Sequence, residues 1–121
     1  MRGRTILVVE EEYLIAADIE YSLLAAGAAR VVIAANIDEA ARLPLDFDLA
    51  VIEAKLGADE VVAFCTQLRA RGVAVVVTSA DRQTQTLFTG TVPLEKPFVA
   101  STLLAACEAA LCGARRPLDQ V

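Results

Sequence analysis

Acidic, hydroxyl and basic side chains follow the short apolar runs of this sequence in a regular order. They are Glu10 and Glu11 after the first run, Glu53 at the end of the third, Thr78 at the end of the fourth and Lys96 after the fifth. Carboxylates that crowd together must bind a cation, shift their pKa values upward or pair with a base. A hard divalent cation such as Mg²⁺ takes oxygen ligands of this kind. If these side chains converge, the set predicts either a metal site or a cluster in which carboxylates pair with an ammonium group.

The apolar runs predict the strands that would position these residues. Short runs rich in Val and Ile suit a parallel sheet that is covered on both faces. They predict strands at residues 5–10, 30–34, 48–53, 73–78 and 91–94. Helical spacing and capping residues predict helices at residues 11–26, 36–43, 59–71 and 98–111. In the first of these helices, the apolar positions at helical spacing are Leu14, Ile15, Ile19, Leu23 and Leu24.

The pattern is least regular after the fourth strand and at the C-terminus. Residues 79–90 are polar and poorly periodic, so a fourth helix in that stretch is expected to be short or irregular. Phe88 in the same stretch is either an exposed anchor for a partner or a cap on the core. Residues 1–113 are expected to form a single domain, followed by a flexible tail over residues 114–121.

Five strands that alternate with helices predict parallel βαβ units and a doubly wound sheet with helices on both faces. In such sheets, ligands bind beyond the carboxyl ends of the strands, where the strand order reverses. The polar residues named above should therefore converge on one shallow pocket. Alone, Glu10, Glu11 and Glu12 would be better explained as a solvated acidic first turn of a helix. The recurrence of polar residues at successive strand ends favours a site.

Composition narrows the classes of function. A length of 121 residues suits one domain, and 56% hydrophobic with only 5% aromatic residues predicts a core of small side chains. The net charge of −5 argues against nucleic-acid binding, which needs a basic face. No segment reaches the ~18 apolar residues of a membrane span, and three glutamates after Val9 do not suit a secretory signal. We therefore expect no membrane association and a cytoplasmic location.

The three cysteines do not indicate a metal or disulfide framework. Cys65, Cys107 and Cys112 are odd in number, lack CxxC spacing and have no histidine anywhere in the chain to join them. Zinc sites and disulfide scaffolds both depend on such partners. We expect all three to be reduced thiols.

The sequence resembles the receiver domain of two-component response regulators over residues 5–111. The resemblance rests on VVEEE at the first strand end, DLAVIEAKLG around the third, VVVTSA at the fourth and LEKPF after the fifth. The Lys96-Pro97-Phe98 run is the most specific of these. The resemblance implies a CheY-like, flavodoxin-like five-stranded sheet of order 2-1-3-4-5. It also implies transfer of a phosphoryl group from a histidine kinase to an aspartate that ends the third strand, with Mg²⁺ bound.

Carried over position by position, the resemblance assigns a role to each polar residue. Glu10 and Glu11 match the acidic pair that holds Mg²⁺, and Glu53 matches the phosphoryl acceptor and third metal ligand. Thr78 and Lys96 match the two groups that contact the phosphate. Mg²⁺ held by Glu10, Glu11 and Glu53 is thus the one candidate cofactor.

Three positions depart from the family pattern. Glu53 replaces the acceptor aspartate, Glu11 stands where aspartate is usual, and Pro93 occupies the switch position, which is usually aromatic. One extra methylene moves the Glu53 carboxylate by roughly 1.5 Å. Phosphoryl transfer depends on positioning, and a displacement near 1 Å can cost ~100-fold. Ordinary phosphorylation should therefore be lost.

The leading hypothesis is a stand-alone, degenerate receiver (a pseudo-receiver) that works by protein–protein binding and is not an enzyme. Glu53, within reach of Lys96 and Thr78, would mimic part of the phosphorylated state. The partner would be a histidine kinase, a phosphotransferase or another signalling protein, and the chain would be a monomer or weak homodimer. One alternative is a working Mg²⁺-dependent receiver phosphorylated on Glu53, Asp48 or Asp59. Another is a small Mg²⁺-dependent phosphoryl-transfer enzyme.

Overall fold

Strands and helices alternate along the chain as the apolar runs predict. The computed structural model describes residues 1–44, 46–81 and 88–119. The strands are β1 (Thr5–Val9), β2 (Arg30–Ala34), β3 (Leu49–Glu53), β4 (Ala74–Ser79) and β5 (Val92–Glu95). The α-helices of the described residues are α1 (Tyr13–Ala25), α2 (Ile37–Ala41), α3 (Ala58–Ala70) and α4 (Ala100–Asp119). Their ends agree with the predicted ones to within two residues, except where α4 ends.

The five strands form one parallel sheet in the order β2-β1-β3-β4-β5. This order confirms the predicted flavodoxin-like arrangement. Alternate residues of a strand face opposite sides of a sheet. Leu7 and Val9 accordingly pack in a cluster with α2 and α3, whereas Ile6 and Val8 pack in a cluster with α1 and α4. Helices therefore cover both faces, as predicted.

Capping residues explain where the short helix α2 begins. The Asn36 side chain accepts a hydrogen bond from the Glu39 backbone N–H at 2.8 Å, and the Glu39 carboxylate accepts one from the Ala35 N–H at 3.2 Å. The pair satisfies two backbone donors at the start of the helix, as a capping box does. The predicted N-cap is confirmed.

The packing of α1 differs from the expectation drawn from its apolar spacing. Of the five apolar positions named above, Ile19 and Leu23 are buried, whereas Leu14 and Leu24 are exposed. The cause is that apolar side chains are distributed all round α1, so spacing alone does not indicate which side packs against the sheet.

The last helix continues past its predicted end at residue 111. It runs to Asp119, so residues 114–119, expected to form a flexible tail, have helical backbone. Gly113 lacks the positive φ of a C-terminal cap and lies inside the helix. A glycine there costs only about 1 kcal/mol relative to alanine, which does not end a helix. The predicted helix end at residue 111 was therefore wrong, whereas the predicted domain bounds, 1–113 with a tail over 114–121, stay a prediction.

The connection from β4 to β5 is described only in part. The predicted short or irregular fourth helix falls mainly on residues 82–87, which lie outside the described residues. Phe88, at the end of that connection, is buried in the cluster with α2 and α3. It therefore caps the core and is not an exposed anchor.

Candidate functional site

The strand order brings four of the predicted residues together at the carboxyl edge of the sheet. Glu10 follows β1, Glu53 ends β3, Thr78 lies in β4, and Lys96 follows β5. Because β1, β3, β4 and β5 are neighbours in that order, their ends meet in one place. Glu53 and Thr78 are paired in register. We refer to Glu10, Glu53, Thr78 and Lys96 as the Glu53 cluster.

Both carboxylate oxygens of Glu53 are engaged within the chain. Oε1 accepts a hydrogen bond from the Lys55 backbone N–H at 3.0 Å, and Oε2 accepts one from Thr78 Oγ1 at 3.1 Å. Oε2 also pairs with Lys96 Nζ. The Glu53 side chain is only 3% exposed. This burial is consistent with its contacts, since a buried carboxylate requires hydrogen-bonding or charged partners.

Lys96 joins the two buried carboxylates. Its Nζ lies 2.9 Å from Glu10 Oε1 and also contacts Glu53. The second oxygen of Glu10, Oε2, accepts the Glu12 backbone N–H at 3.1 Å, which ties Glu10 to the start of α1. The Lys96 backbone N–H donates to Ser79 O at 2.9 Å, and the Lys96–Pro97 peptide bond is cis. Backbone and side chain thus both hold Lys96 at this edge.

The electrostatics of the cluster favour a charged Lys96. Burial by itself would lower the pKa of the ammonium group, but hydrogen bonds to Glu53 and Glu10 and their negative charges outweigh it. The pKa of Lys96 is raised as a result. Lys96 therefore remains protonated at neutral pH and supplies a positive charge against both carboxylates.

Local sequence around Glu53 explains the contact from Lys55, which the sequence analysis missed. Directly after β3 the chain forms a 3-10 turn, Ala54–Leu56, that ends at Gly57 with φ of 113°. Residues with a side chain rarely adopt that backbone φ, so glycine is required there. The turn directs the Lys55 N–H back to the Glu53 carboxylate. In the sequence, the only sign of this turn was the glycine that follows Lys55 and Leu56.

Glu11, Ser79 and Pro93 lie outside the cluster. Glu11 is exposed, because successive side chains of an extended segment point in opposite directions and Glu10 takes the inward one. Ser79 Oγ instead bonds both backbone groups of Asp81, at 2.9 and 3.0 Å. Pro93 is exposed on the edge strand β5, a position that tolerates a residue without an N–H.

The arrangement does not fit the predicted magnesium site. In the described part of the chain, no group of three or more His, Cys, Asp or Glu side chains is placed to hold a metal ion. Of the predicted ligands, Glu10 and Glu53 share the Lys96 ammonium, and Glu11 is exposed. The set resembles the second outcome considered from sequence, carboxylates paired with an ammonium group.

The thiols have no visible role in this site. Cys65, Cys107 and Cys112 are all free. Burial raises the pKa of both Cys65 and Cys107 to about 12, so both thiols stay protonated and unreactive at neutral pH.

Comparison with solved structures places the fold. The chain is similar to the signal receiver domain of a modulated diguanylate cyclase from Desulfovibrio desulfuricans, at 26% identity and a TM-score of 0.80, covering 95% of this chain and 98% of that one. It is also similar to a CheY-like response regulator receiver domain protein from Methanospirillum hungatei, at 20% identity and a TM-score of 0.79, with coverage of 95% and 98%.

A larger protein matches over one part of its length. NtrX from Brucella abortus aligns at 22% identity and a TM-score of 0.82, covering 97% of this chain and 28% of that one. No family model matches the sequence, and no curated protein matches it. The chain thus has the fold of CheY-like response regulator receiver domains.

Within the described residues, no helix is long and apolar enough to cross a membrane.

Proposed function

We propose that this chain is an atypical response regulator in two-component-type signalling that acts by binding a protein partner, without ordinary phosphorylation. The observation that carries the proposal is the engagement of Glu53. Its carboxylate, at the position of the usual acceptor aspartate, already holds Thr78 Oγ1 and Lys96 Nζ. By resemblance, these are the two groups that contact the phosphate in a conventional receiver.

Phosphorylation of Glu53 is disfavoured by what the carboxylate already binds. A nucleophilic oxygen must be free to attack in line, but Oε1 accepts the Lys55 N–H, and Oε2 accepts Thr78 and Lys96. The donors that would stabilise an incoming phosphoryl group are therefore taken by the glutamate itself. Its extra methylene is what lets it reach them. Glu53 thereby imitates some contacts of a phosphorylated aspartate.

The alternative acceptors are poorly placed. Asp48 lies before β3, at the opposite edge of the sheet, where its carboxylate accepts the Thr5 N–H at 2.8 Å and pairs with Arg4 at 3.7 Å. Asp59 lies in the exposed first turn of α3, where an acidic residue favours the helix. Neither of them belongs to the Glu53 cluster.

The proposal is tested by reacting the purified protein with acetyl phosphate and Mg²⁺ and measuring the acyl phosphate by intact mass and by its loss on hydroxylamine treatment. The unaltered chain should remain unlabelled. Glu53→Asp shortens the side chain, frees Thr78 and Lys96 and should increase labelling at least ~100-fold. Glu53→Gln keeps the length, offers no carboxylate and serves as the matched control.

Two results would overturn the proposal in different ways. An acyl phosphate on Glu53 of the unaltered chain would make this a working receiver. Labelling that disappears in Asp48→Asn or Asp59→Asn would show an unconventional acceptor. If the folded Glu53→Asp variant does not become labelled, the extra methylene of Glu53 does not by itself account for the loss of phosphorylation.

A further inference from the structure

A cleft opens at the amino edge of the sheet, the edge opposite the Glu53 cluster. It lies where β4 and β5 begin and has a volume of about 290 Å³. Its floor is formed by Val73, Ala74 and Val75 around the start of β4 and by Val92 of β5, and residues of α4 line one side. A cleft of this volume has room for about ten water molecules or for one compact organic molecule. We call it the amino-edge cleft.

Small residues leave the amino-edge cleft open. Gly72 and Gly113 line it, and a Cβ added at either position would meet no described atom of another segment within 4 Å. Ala109 and Ala110 line it from α4 and carry one methyl group each. Larger side chains at these positions would fill the space, since protein interiors are otherwise closely packed. The cleft therefore exists because four neighbouring positions carry almost no side chain.

Arg69 of α3 brings a guanidinium group to the amino-edge cleft. Its Nη1 donates a hydrogen bond to the Thr89 backbone carbonyl at 3.2 Å. Gly90 makes this position possible, because a Cβ there would overlap the guanidinium carbon and both terminal nitrogens of Arg69. Gly90 also has φ of 79°, a backbone conformation that favours glycine. The guanidinium group is thereby held in one place beside the cleft.

The charge of the amino-edge cleft is positive. Arg69 lines it, no acidic residue does, and none of the ion pairs between described residues includes Arg69. Glu108 of α4 lines a separate cleft, together with Met1. A guanidinium group has five N–H donors, so the bond to Thr89 leaves donors for a ligand. The amino-edge cleft therefore combines an apolar floor with a positioned cation.

The acidic residues of the Glu53 cluster lie too far away to oppose an anion in this cleft. From Ala74 to Thr78, β4 spans about 13 Å, since a strand rises about 3.3 Å per residue. That length exceeds the ~8 Å over which charges are screened at physiological ionic strength. The local charge at Arg69 therefore matters more here than the net charge of the chain.

We propose that the amino-edge cleft binds a small organic monocarboxylate, with its carboxylate on Arg69 and its apolar part on the floor of the cleft. The planar guanidinium group matches a carboxylate through two parallel hydrogen bonds. One positive charge balances one negative charge, whereas a phosphate monoester carries close to two at neutral pH. The inference goes beyond the proposed function and does not rest on it, because no residue of the Glu53 cluster lines the cleft.

The proposal is tested by adding hexanoate to the ¹⁵N-labelled protein and following the amide chemical shifts. Hexanamide has nearly the same shape without the charge, and butyl phosphate carries the other common anionic group. Hexanoate should shift the amides of residues 72–75, 90–92 and 109–113. It should bind at least ~10-fold more tightly than hexanamide, and also more tightly than butyl phosphate.

Two variants, each with a matched control, remove the two features of the cleft. Arg69→Gln removes the charge and should weaken hexanoate binding at least ~10-fold. Arg71→Gln removes an exposed arginine that does not line the cleft and should bind normally. Ala109→Leu fills the space and should also weaken binding ~10-fold. Ala105→Leu, an exposed position one turn earlier on α4, should leave binding unchanged.

Several results would overturn the proposal. They are equal binding of hexanoate and hexanamide, unchanged binding by the folded Arg69→Gln variant, and amide shifts confined to the surroundings of Lys96. The absence of saturable shifts up to about 10 mM hexanoate would overturn it as well. Tighter binding of butyl phosphate would show that the ligand class is wrong. None of these results bears on the labelling of Glu53, so the proposed function is tested separately.

Discussion

The Glu53 cluster and the exposed side of α1 differ in which kinds of side chain they bury. Charged groups, which lose free energy on burial, are buried in the cluster and bonded to one another. Apolar groups, which gain from burial, are exposed on α1. The polar groups of the cluster have bonding partners within the chain. The exposed apolar side chains of α1, in contrast, are not covered by the rest of the chain. The two regions therefore differ in how far the folded chain covers the side chains that they contain.

The difference also bears on how the fold is used. A pocket that binds and releases a phosphoryl group needs unoccupied donors near its nucleophile. In this chain Thr78 and Lys96 are bonded to Glu53. These contacts connect β3, β4 and the β5–α4 loop, and under the proposed function they form a fixed internal connection. Four predictions test the contrast between this connection and the exposed helix.

The largest effect is expected from removing the ammonium group. Lys96→Met leaves Glu10 and Glu53 buried and facing each other without a positive charge. Breaking a buried ion pair on one side typically costs about 3–5 kcal/mol of unfolding free energy. Urea unfolding measures the loss. Lys55→Met is the control, because the exposed Lys55 contacts Glu53 only through its backbone, and a loss below about 1 kcal/mol in Lys96→Met would contradict the account.

Raising the pH into the alkaline range should gradually remove the stabilisation that the Lys96 ammonium group contributes. The pKa of Lys96 is raised in the folded state, so its stabilisation is fully present below the unfolded-state value of about 10.4. It is lost as the pH rises through the higher folded-state pKa. The difference in unfolding free energy between the unaltered chain and Lys96→Met should stay constant to about pH 10 and then narrow. If that difference in unfolding free energy already narrows below about pH 9, Lys96 is not the titrating group.

An intermediate effect is expected from Thr78→Val, which keeps the side-chain shape and removes one donor to Glu53. A hydrogen bond to a charged acceptor contributes about 1.5–3 kcal/mol. Because Lys96 still contacts the same oxygen, the lower end, about 1.5 kcal/mol, is expected from urea unfolding. Thr66→Val removes an exposed hydroxyl that donates only to Val62 O within α3. If Thr78→Val and Thr66→Val lose the same unfolding free energy, the buried hydrogen bond contributes no more to stability than the exposed one.

The smallest effect on folding is expected on α1. Tyr21→Ala should change the unfolding free energy by no more than about 0.5 kcal/mol, since the side chain is exposed. A stability loss above about 2 kcal/mol would show that Tyr21 packs within the folded chain and would remove the contrast.

Much of the architecture could be predicted because each strand carries its own signal. Val- and Ile-rich runs such as residues 73–78 predict a buried parallel strand without reference to the rest of the chain. The polar residues at the strand ends could be predicted to meet, since parallel strands end at the same edge. Glu10, Glu53, Thr78 and Lys96 do meet there.

Other features depended on distances and packing. Periodicity could not show which side of α1 faces the sheet, because apolar residues surround the whole helix. Nor could it show that Gly113 lies inside α4 and not at its end. Glu11 and Glu10 look equivalent in sequence, and only the direction of the chain after β1 separates the exposed one from the buried one.

The sequence by itself determined which residues reach the carboxyl edge of the sheet, because strand position follows from a local pattern of apolar side chains. The tertiary structure decided what those residues do once there. Carboxylates at that edge were compatible with either a metal ion or an ammonium group. The choice depended on whether Lys96, brought in from 43 positions away in sequence, lies close enough to Glu53 to pair with it, and it does.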